Sequence, residues 1–185
     1  MYKVCEYEGS TLWGMNGGQP ESPDGKWLVY GRKPSLTEEY GDETQIWICD
    51  RQTLREQRKL YTVSCKNHNG PSATFVDNDH IVFRDMAGGL TAIRILNIHT
   101  GETKYGPIYG KESHCAENGW YPFSISEEYL DQNPDHPEID CCGIYLLELA
   151  TGKIKRVADK QTILDMVVGS GCVPGKNTTS MSHVQ

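Results

Sequence analysis

The sequence predicts an all-β fold, a β-propeller of about three four-stranded blades followed by the first strand of a fourth. Three stretches share one pattern: an alternating apolar strand, a polar turn that contains a threonine, and a second strand that runs back. These stretches are residues 45–60, 91–108 and 143–157. Their turn threonines, Thr53, Thr100 and Thr151, are 47 and 51 residues apart. A unit that recurs at this spacing indicates a repeat architecture, and its length suits a propeller blade.

The composition fits many short strands joined by polar turns. Hydrophobic residues make up 37% of the chain, the mean hydropathy is −0.55, and there are 19 glycines and 9 prolines. The net charge of −7 argues against a nucleic-acid-binding surface. No apolar run approaches the roughly 20 residues of a membrane span, so no membrane association is expected.

Two further observations favour a reducing, cytoplasmic location. Residues 1–14 lack the charged and apolar regions of a secretory signal, although a periplasmic or secreted location stays open if other residues precede them. The seven cysteines are an odd number without framework spacing, and they include the adjacent pair Cys141 and Cys142. Strand cysteines such as Cys49 are expected to be small buried apolar residues.

The strand pattern divides the chain into blades of about 12–61, 66–108 and 118–158, with the start of a fourth at about 180–185. In the first blade, residues 12–19 are a candidate inner strand. The sequence Ser22-Pro-Asp-Gly25 is a strong turn signal and leads into a strand at 26–32. The second blade is predicted to contain strands at 66–76, 80–85, 91–98 and 103–108.

The third blade departs from this regular pattern. Its first strand is expected at 118–126, and the Pro-rich stretch 131–140 stands where a second strand would follow. We expect that stretch to form a rim loop over one face of the ring. Residues 161–168 fit one or two helical turns. Because three blades do not close a ring, the sequence favours part of a longer propeller.

Histidines stand near the predicted first strands of successive blades. They are His68, with Asn67 and Asn69 beside it, His114, and His183, with Gln185 two positions later. Residues at blade starts meet at the mouth of a propeller channel, where imidazoles suit general base catalysis or metal binding. The alternative is a set of solvated loop histidines, which is the preferred interpretation for His114. For His68 and His183 both interpretations stay open.

Arg84 and Tyr121 are the other candidate site residues. Arg84 ends the second strand of the second blade, where its guanidinium could take a carboxylate through two hydrogen bonds. The alternative is a surface ion pair with Asp85 or Asp77. Tyr121 lies in a predicted inner strand. It could act as a phenolic acid or base, but the interpretation we prefer is a core aromatic residue. The remaining histidines, His80, His99 and His136, are expected to be structural or solvated, although rim loops such as that of His136 sometimes reach a ligand.

Several stretches of the chain resemble the amino-terminal half of propeller polysaccharide lyases of the oligogalacturonate lyase and ulvan lyase types. They are, in order, NHNGPSATFVDNDHIVFRD from Asn67, the HTGE turn, WYPFSIS, GIYLLELATGKIKRV and the closing SHVQ. The SPDG and TGE turns are also similar to those of TolB-type propellers, which share them without catalysis.

The resemblance to the lyases implies β-elimination at a uronic acid in an acidic oligosaccharide. A base removes the proton next to the carboxylate, a cation neutralises that carboxylate, and the glycosidic oxygen leaves. The resemblance implies His68 as the base and Arg84 as the carboxylate partner. It implies a Mn-like divalent ion on His183 and Gln185, with further ligands beyond Gln185. Residues placed near the implied substrate are Asn67, Asn69 and His114.

Two other functions remain open at this point. A non-catalytic propeller module would bind a protein or glycan partner, and this is the main alternative to a lyase. A peptidase-associated propeller is a third interpretation, but the chain contains no nucleophile elbow that would support it.

Overall fold

The computed structural model describes residues 18–33, 43–64, 71–113 and 116–171, together with the backbone of residues 10–12. Within these residues the strands form three antiparallel sheets of four strands each. The first sheet contains β1 (Ser10–Leu12), β2 (Trp27–Lys33), β3 (Thr44–Asp50) and β4 (Arg58–Val63). The second contains β5 (Thr74–Phe75), β6 (His80–Ala87), β7 (Leu90–Asn97) and β8 (Ile108–Tyr109). The third contains β9 (Lys111–Glu112), β10 (Trp120–Ile125), β11 (Gly143–Glu148) and β12 (Ile154–Asp159).

Each sheet is a meander in which consecutive strands are neighbours, and this confirms the predicted all-β class. The repeated threonine turns join the third and fourth strands of each sheet. In each turn a polar side chain at the end of the third strand binds the threonine three positions later, as the predicted turn chemistry requires. The pairs are Asp50 with the Thr53 N–H at 2.7 Å, Asn97 with the Thr100 N–H at 3.0 Å, and Glu148 with the Thr151 hydroxyl.

The three sheets stack face to face, with the second sheet in the middle. Because successive strand residues point to opposite faces, β7 supplies two cores. Ile93 and Ile95 pack with Phe123 and Tyr145 of the third sheet. On the opposite face, Leu96 and other buried residues of the second sheet pack with residues of the first sheet, including Ile46 and Ile48.

The structure corrects the strand assignment in the third sheet. Trp120–Ile125, predicted as part of the first strand, is the second strand, and it pairs with both Lys111–Glu112 and Gly143–Glu148. The true first strand contains only two residues, too few to show an alternating pattern. Residues 131–140 are therefore the connection between the second and third strands and do not replace a strand.

Other predicted strand limits also change. In the first sheet the edge strand is Ser10–Leu12, whereas prediction placed it at 12–19, of which 13–17 lie outside the described residues. In the second sheet, β5 covers only Thr74–Phe75 of the predicted 66–76. The predicted strand 103–108 reduces to a single bridge between Thr103 and Leu96, with β8 after it. The predicted fourth unit at 180–185 lies outside the described residues.

Two helical segments accompany the third sheet. A 3₁₀ helix at Glu127–Gln132 follows β10 and leads into the rim loop. Helix α1, Lys160–Gly169, begins directly after β12, and Asp159 caps it by accepting the Thr162 N–H at 2.7 Å. Within the described part of the chain, no helix is long and apolar enough to cross a lipid bilayer.

Candidate functional site

Two of the predicted site residues, Arg84 and Tyr121, fall within the described residues. The others, His68, Asn67, Asn69, His114, His183 and Gln185, lie outside them. The convergence of histidines from successive blades at one site therefore stays a prediction.

Arg84 lies in β6 on the face that looks toward the third sheet. Its guanidinium donates to the carboxylate of Glu112 in β9, and the two side chains are only 6% and 10% exposed. The bond is a buried, charged contact between neighbouring sheets. Glu112 thus already supplies a carboxylate to Arg84 from within the protein, and the implied role of Arg84 toward a substrate carboxylate stays a prediction.

The alternative ion pair of Arg84 with Asp85 or Asp77 is wrong. Asp85 follows Arg84 in the strand and therefore points to the opposite face. There it accepts from Arg94 Nε at 2.8 Å and from the Ser64 N–H at 3.2 Å. Asp77 instead caps the turn before β6 and accepts the His80 N–H at 2.7 Å.

Tyr121 lies in the second strand of the third sheet, whereas prediction placed it in an inner first strand. Its ring belongs to the core between the second and third sheets and is 2% exposed. Its hydroxyl donates to the carbonyl oxygen of Ser113 at 2.6 Å. This position fits the core aromatic interpretation better than a catalytic one.

The predicted metal site finds no counterpart among the described side chains. In that part of the chain no group of three His, Cys, Asp or Glu residues is placed to hold a metal ion. The implied ligands His183 and Gln185 lie outside it. A divalent metal such as Mn²⁺ therefore stays a prediction.

A groove of about 750 Å³ lies between the second and third sheets at the outer edge of β8. One wall consists of residues 104–107 and Tyr109, which lead into and form β8. The other wall consists of residues 131–136 in the rim loop. Its volume is within the range of small-ligand sites. We call it the rim groove.

Asn133 belongs to the rim-loop wall of the groove and holds that loop against β8. Its side-chain oxygen accepts the Tyr109 N–H at 2.8 Å, and its side-chain nitrogen donates to the Tyr109 carbonyl at 2.9 Å and the Tyr129 carbonyl at 3.0 Å. Asn133 is 5% exposed, so these bonds are shielded from water. The amide thus mimics a short strand pairing at the edge of the second sheet.

The opposite wall is anchored to the third sheet through Leu149. Lys104 Nζ and the Tyr105 hydroxyl both donate to the Leu149 carbonyl oxygen, at 2.8 and 3.1 Å. The Lys104 ammonium also lies 5.6 Å from the centre of the Tyr105 ring. Burial raises the pKa of Tyr105, so its hydroxyl remains protonated at neutral pH.

Two carboxylates at the rim groove are free to accept hydrogen bonds. Asp131 and Asp135 are exposed, and neither forms an ion pair or side-chain hydrogen bond with any residue that the structure describes. His136 and Gln132 lie beside them and supply groups that both donate and accept. The groove therefore combines a tyrosine and proline surface with an acidic, hydrogen-bonding margin.

The sequence pointed to part of this site. The Pro-rich composition of residues 131–140 predicts a rim loop, and His136 lies within it. Tyr105 and Tyr109 were missed because their stretch reads as the end of a strand. No local signal shows that they face a loop from the next sheet.

Comparisons with known proteins identify the fold. No family model matches the sequence, and no similar sequence is found among curated proteins. TolB from Acinetobacter baumannii superposes with a TM-score of 0.52 and 15% identity, over 85% of this chain and 34% of that one. The β-propeller domain of the Trilobed protease from Pyrococcus furiosus gives a TM-score of 0.50 and 19% identity, over 76% of this chain and 42% of that one.

The three sheets are blades of a β-propeller. The propeller fold predicted from the repeats is thus confirmed, including the likeness to TolB-type propellers. At these identities the likeness concerns the fold alone. The chain spans 34% and 42% of the length of the two structures, so the propeller seen here is partial.

Proposed function

We propose that this chain is a propeller module that binds a short neutral oligosaccharide in the rim groove and carries out no reaction on it. The observation that carries this proposal is the pair Asp131 and Asp135, whose carboxylates have no described partner and border a tyrosine and proline surface. Sugar hydroxyls donate readily to carboxylates, and the C–H faces of sugars pack on flat apolar rings.

The charge of the rim groove favours neutral sugars over acidic ones. Two carboxylates face one ammonium, Lys104, which is already bound to the Leu149 carbonyl. A uronate would bring a further negative charge next to Asp131 and Asp135, which is unfavourable at short range. A neutral sugar meets no such repulsion, so it is preferred over the acidic oligosaccharide that the lyase resemblance implies.

A cationic peptide is the competing ligand. Its ammonium groups would suit the two carboxylates, but the face of Tyr105 already lies against Lys104, at 5.6 Å. The remaining margin mixes donors and acceptors in Gln132 and His136. Hydroxyl groups, which both donate and accept, use such a mixture better than an ammonium, which only donates.

Calorimetric titration tests the proposal. The probes are neutral tetrasaccharides of glucose, xylose and N-acetylglucosamine, a tetragalacturonate, and a lysine-containing tetrapeptide. We expect binding of at least one neutral sugar, and in the Asp131→Asn/Asp135→Asn variant about tenfold weaker binding, because hydrogen bonds to charged groups are lost. Asp165→Asn in helix α1 is the charge-matched control and should bind as the unmodified chain does. Binding of the peptide alone, or of no neutral sugar, would overturn the proposal.

Uronate β-elimination is tested with the same protein. Its implied base and metal ligands, His68, His183 and Gln185, lie outside the described residues, and Arg84 is engaged by Glu112. Elimination produces an unsaturated uronate that absorbs in the ultraviolet. We expect no rise in absorbance with oligogalacturonate or ulvan, with or without added Mn²⁺. A rise that His68→Ala abolishes would establish the lyase and contradict a purely binding role.

A further inference from the structure

The adjacent cysteines Cys141 and Cys142 lie outside the rim groove and have no part in the proposed binding. They follow the rim loop and precede β11, and both are free of disulfide bonds and partly exposed. The third cysteine in the described part of the chain, Cys49, lies in β3 and is 0% exposed. Two accessible thiols on consecutive residues therefore contrast with one inaccessible thiol.

The surroundings of Cys141 suit a nucleophilic sulfur. The Arg156 guanidinium of β12 lies 3.1 Å from Cys141 Sγ, and the Tyr145 hydroxyl lies 3.7 Å from it. Arg156 is held in place by an ion pair with Asp140. A neighbouring arginine is one of the settings in which a partly exposed cysteine becomes reactive.

The backbone around the two thiols is fixed by hydrogen bonds. Tyr145 Oη donates to the Cys141 carbonyl at 2.7 Å, and the Cys142 carbonyl accepts the Lys160 N–H at 2.9 Å. The side chains of both cysteines are thus presented at the junction of the rim loop and the third sheet. Burial, with Glu127 as the next cause, raises the pKa of the Cys142 thiol, so this group remains protonated.

We propose that Cys141 and Cys142 form a redox site that reacts with hydrogen peroxide and closes into a disulfide between the two neighbouring residues. In the first step the Cys141 thiolate attacks one peroxide oxygen. The S–O bond forms as the O–O bond breaks, and the departing hydroxide becomes water by taking up the proton that the Cys141 thiol released when it ionised. This oxidises Cys141 to a sulfenic acid and reduces the peroxide.

In the second step the Cys142 sulfur attacks the sulfur of the Cys141 sulfenic acid. The S–S bond forms as the S–O bond breaks, and the hydroxyl leaves as water with the proton of the Cys142 thiol. Overall the two thiols lose two electrons and two protons, and one hydrogen peroxide becomes two water molecules.

The disulfide would be easily reversed. Consecutive Cα atoms are about 3.8 Å apart, which is shorter than the spacing of about 4.4–6.8 Å usual for disulfides. A strained disulfide has a more oxidising potential and is reduced more easily by thiols. This property suits a reversible sensor better than a structural crosslink.

Peptide-resolved mass spectrometry of the full chain tests the proposal. Combined cleavage after lysine and before aspartate isolates residues 140–153, which contain no other cysteine. After brief treatment with hydrogen peroxide, we expect this peptide to lose two hydrogens and to regain them with dithiothreitol. Cys49 should stay unmodified and serves as the internal control.

Variants separate the two steps. Cys142→Ser should leave Cys141 as a sulfenic acid that a 1,3-dione probe captures, and Cys141→Ser should abolish capture at position 142. Arg156→Gln should slow oxidation of Cys141 several-fold, and circular dichroism should show each variant folded. Oxidation of Cys141 no faster than that of Cys49, or a disulfide from Cys141 to a distant cysteine, would overturn the proposal.

Discussion

Arg84 and Asp85 show how neighbouring residues of one strand serve different interfaces. Arg84 binds Glu112 of the third sheet, and Asp85 binds Arg94 on the opposite face of the second sheet. The sequence placed Arg84 correctly in a second strand, but that strand continues to Ala87, so Arg84 lies in its interior and not at its end. It could not show the partner, which is 28 residues away and depends on how two sheets pack.

Removing one member of the Arg84 and Glu112 pair should lower the free energy of unfolding far more than removing both. Arg84→Met leaves a buried carboxylate without this partner and should lower the free energy of unfolding by about 3–5 kcal/mol. Arg84→Met/Glu112→Leu should recover most of that loss, because apolar groups replace both charges. Urea denaturation measures the free energy of unfolding of the single and the double variant.

The exposed ion pair of Arg51 and Glu21 is the matched control, with side chains 48% and 40% exposed. Arg51→Met should change the stability by less than about 1 kcal/mol. A double variant at Arg84 and Glu112 that is no more stable than Arg84→Met alone would show that the ion pair is not the cause.

Asp24 in the SPDG turn should make stability depend on pH in the acid range. The hydrogen bond from the Lys26 side chain, followed by that from Ser22, lowers the pKa of Asp24 from 3.8 to about 2. Because the pKa is lower in the folded chain, the contribution of Asp24 is present above the unfolded pKa and is lost as the pH falls toward about 2. Asp24→Asn removes this dependence.

The measurement is the unfolding free energy of both proteins from neutral pH downward. The stability difference between the unmodified chain and Asp24→Asn should be constant near neutral pH and should shrink below about pH 4. A difference that keeps the same size at pH 3 would contradict the assignment.

At the element scale, one of the three threonine turns has a leucine with positive φ where the other two have glycine. After the threonine, each turn has a residue with positive φ: Leu54 at 56°, Gly101 at 75° and Gly152 at 78°. Their N–H groups donate to the carbonyls of Asp50, Asn97 and Glu148, so the three turns share one geometry. Leucine is strained there because its Cβ approaches the backbone, whereas glycine is not.

Substitutions at this position of the three turns should change stability by different amounts, according to the backbone conformation and the atoms around the Cβ. Leu54→Gly should stabilise the protein by up to about 1 kcal/mol or leave it unchanged, because relief of strain is partly offset by a more flexible unfolded chain. Gly101→Ala should destabilise it by about 1–2 kcal/mol through the positive φ alone, because a Cβ there meets no atom within 4 Å and adds no clash. Gly152→Ala should destabilise it more, because a Cβ would lie 2.6 Å from the Tyr105 ring. Thermal denaturation gives the order, and equal effects at both glycines would refute it.

The elements with strong local signals were the ones that the sequence could predict. Strands such as Trp27–Lys33 and His80–Ala87 contain short runs of apolar and aromatic residues and follow turn residues, and the pattern at 161–168 predicts one or two helical turns where helix α1 lies. Lys111–Glu112 was missed, because a two-residue strand is defined by its neighbour and not by its own pattern. That omission moved Trp120–Ile125, and with it Tyr121, into the wrong place in the sheet.

At the scale of the whole molecule, the second sheet belongs to both cores. Ile93→Ala opens a cavity toward the third sheet and Leu96→Ala one toward the first, and each should cost about 2–5 kcal/mol. Because one sheet serves both cores, circular dichroism and tryptophan fluorescence should report the same unfolding midpoint in each variant. The exposed Lys155→Ala is the control. Separate midpoints would show that the blades unfold independently.

The rim groove has walls that belong to two different blades, so its width is the spacing between those blades. A small rotation of one blade relative to the next would widen or narrow the groove, whereas a pocket inside one blade would keep its shape. Gly152 lies close to the Tyr105 ring, and the Leu149 carbonyl accepts from both Lys104 and Tyr105; Gly152 and Leu149 thus hold this wall although they do not line the groove. The width of the rim groove is therefore set in part by residues that do not line it.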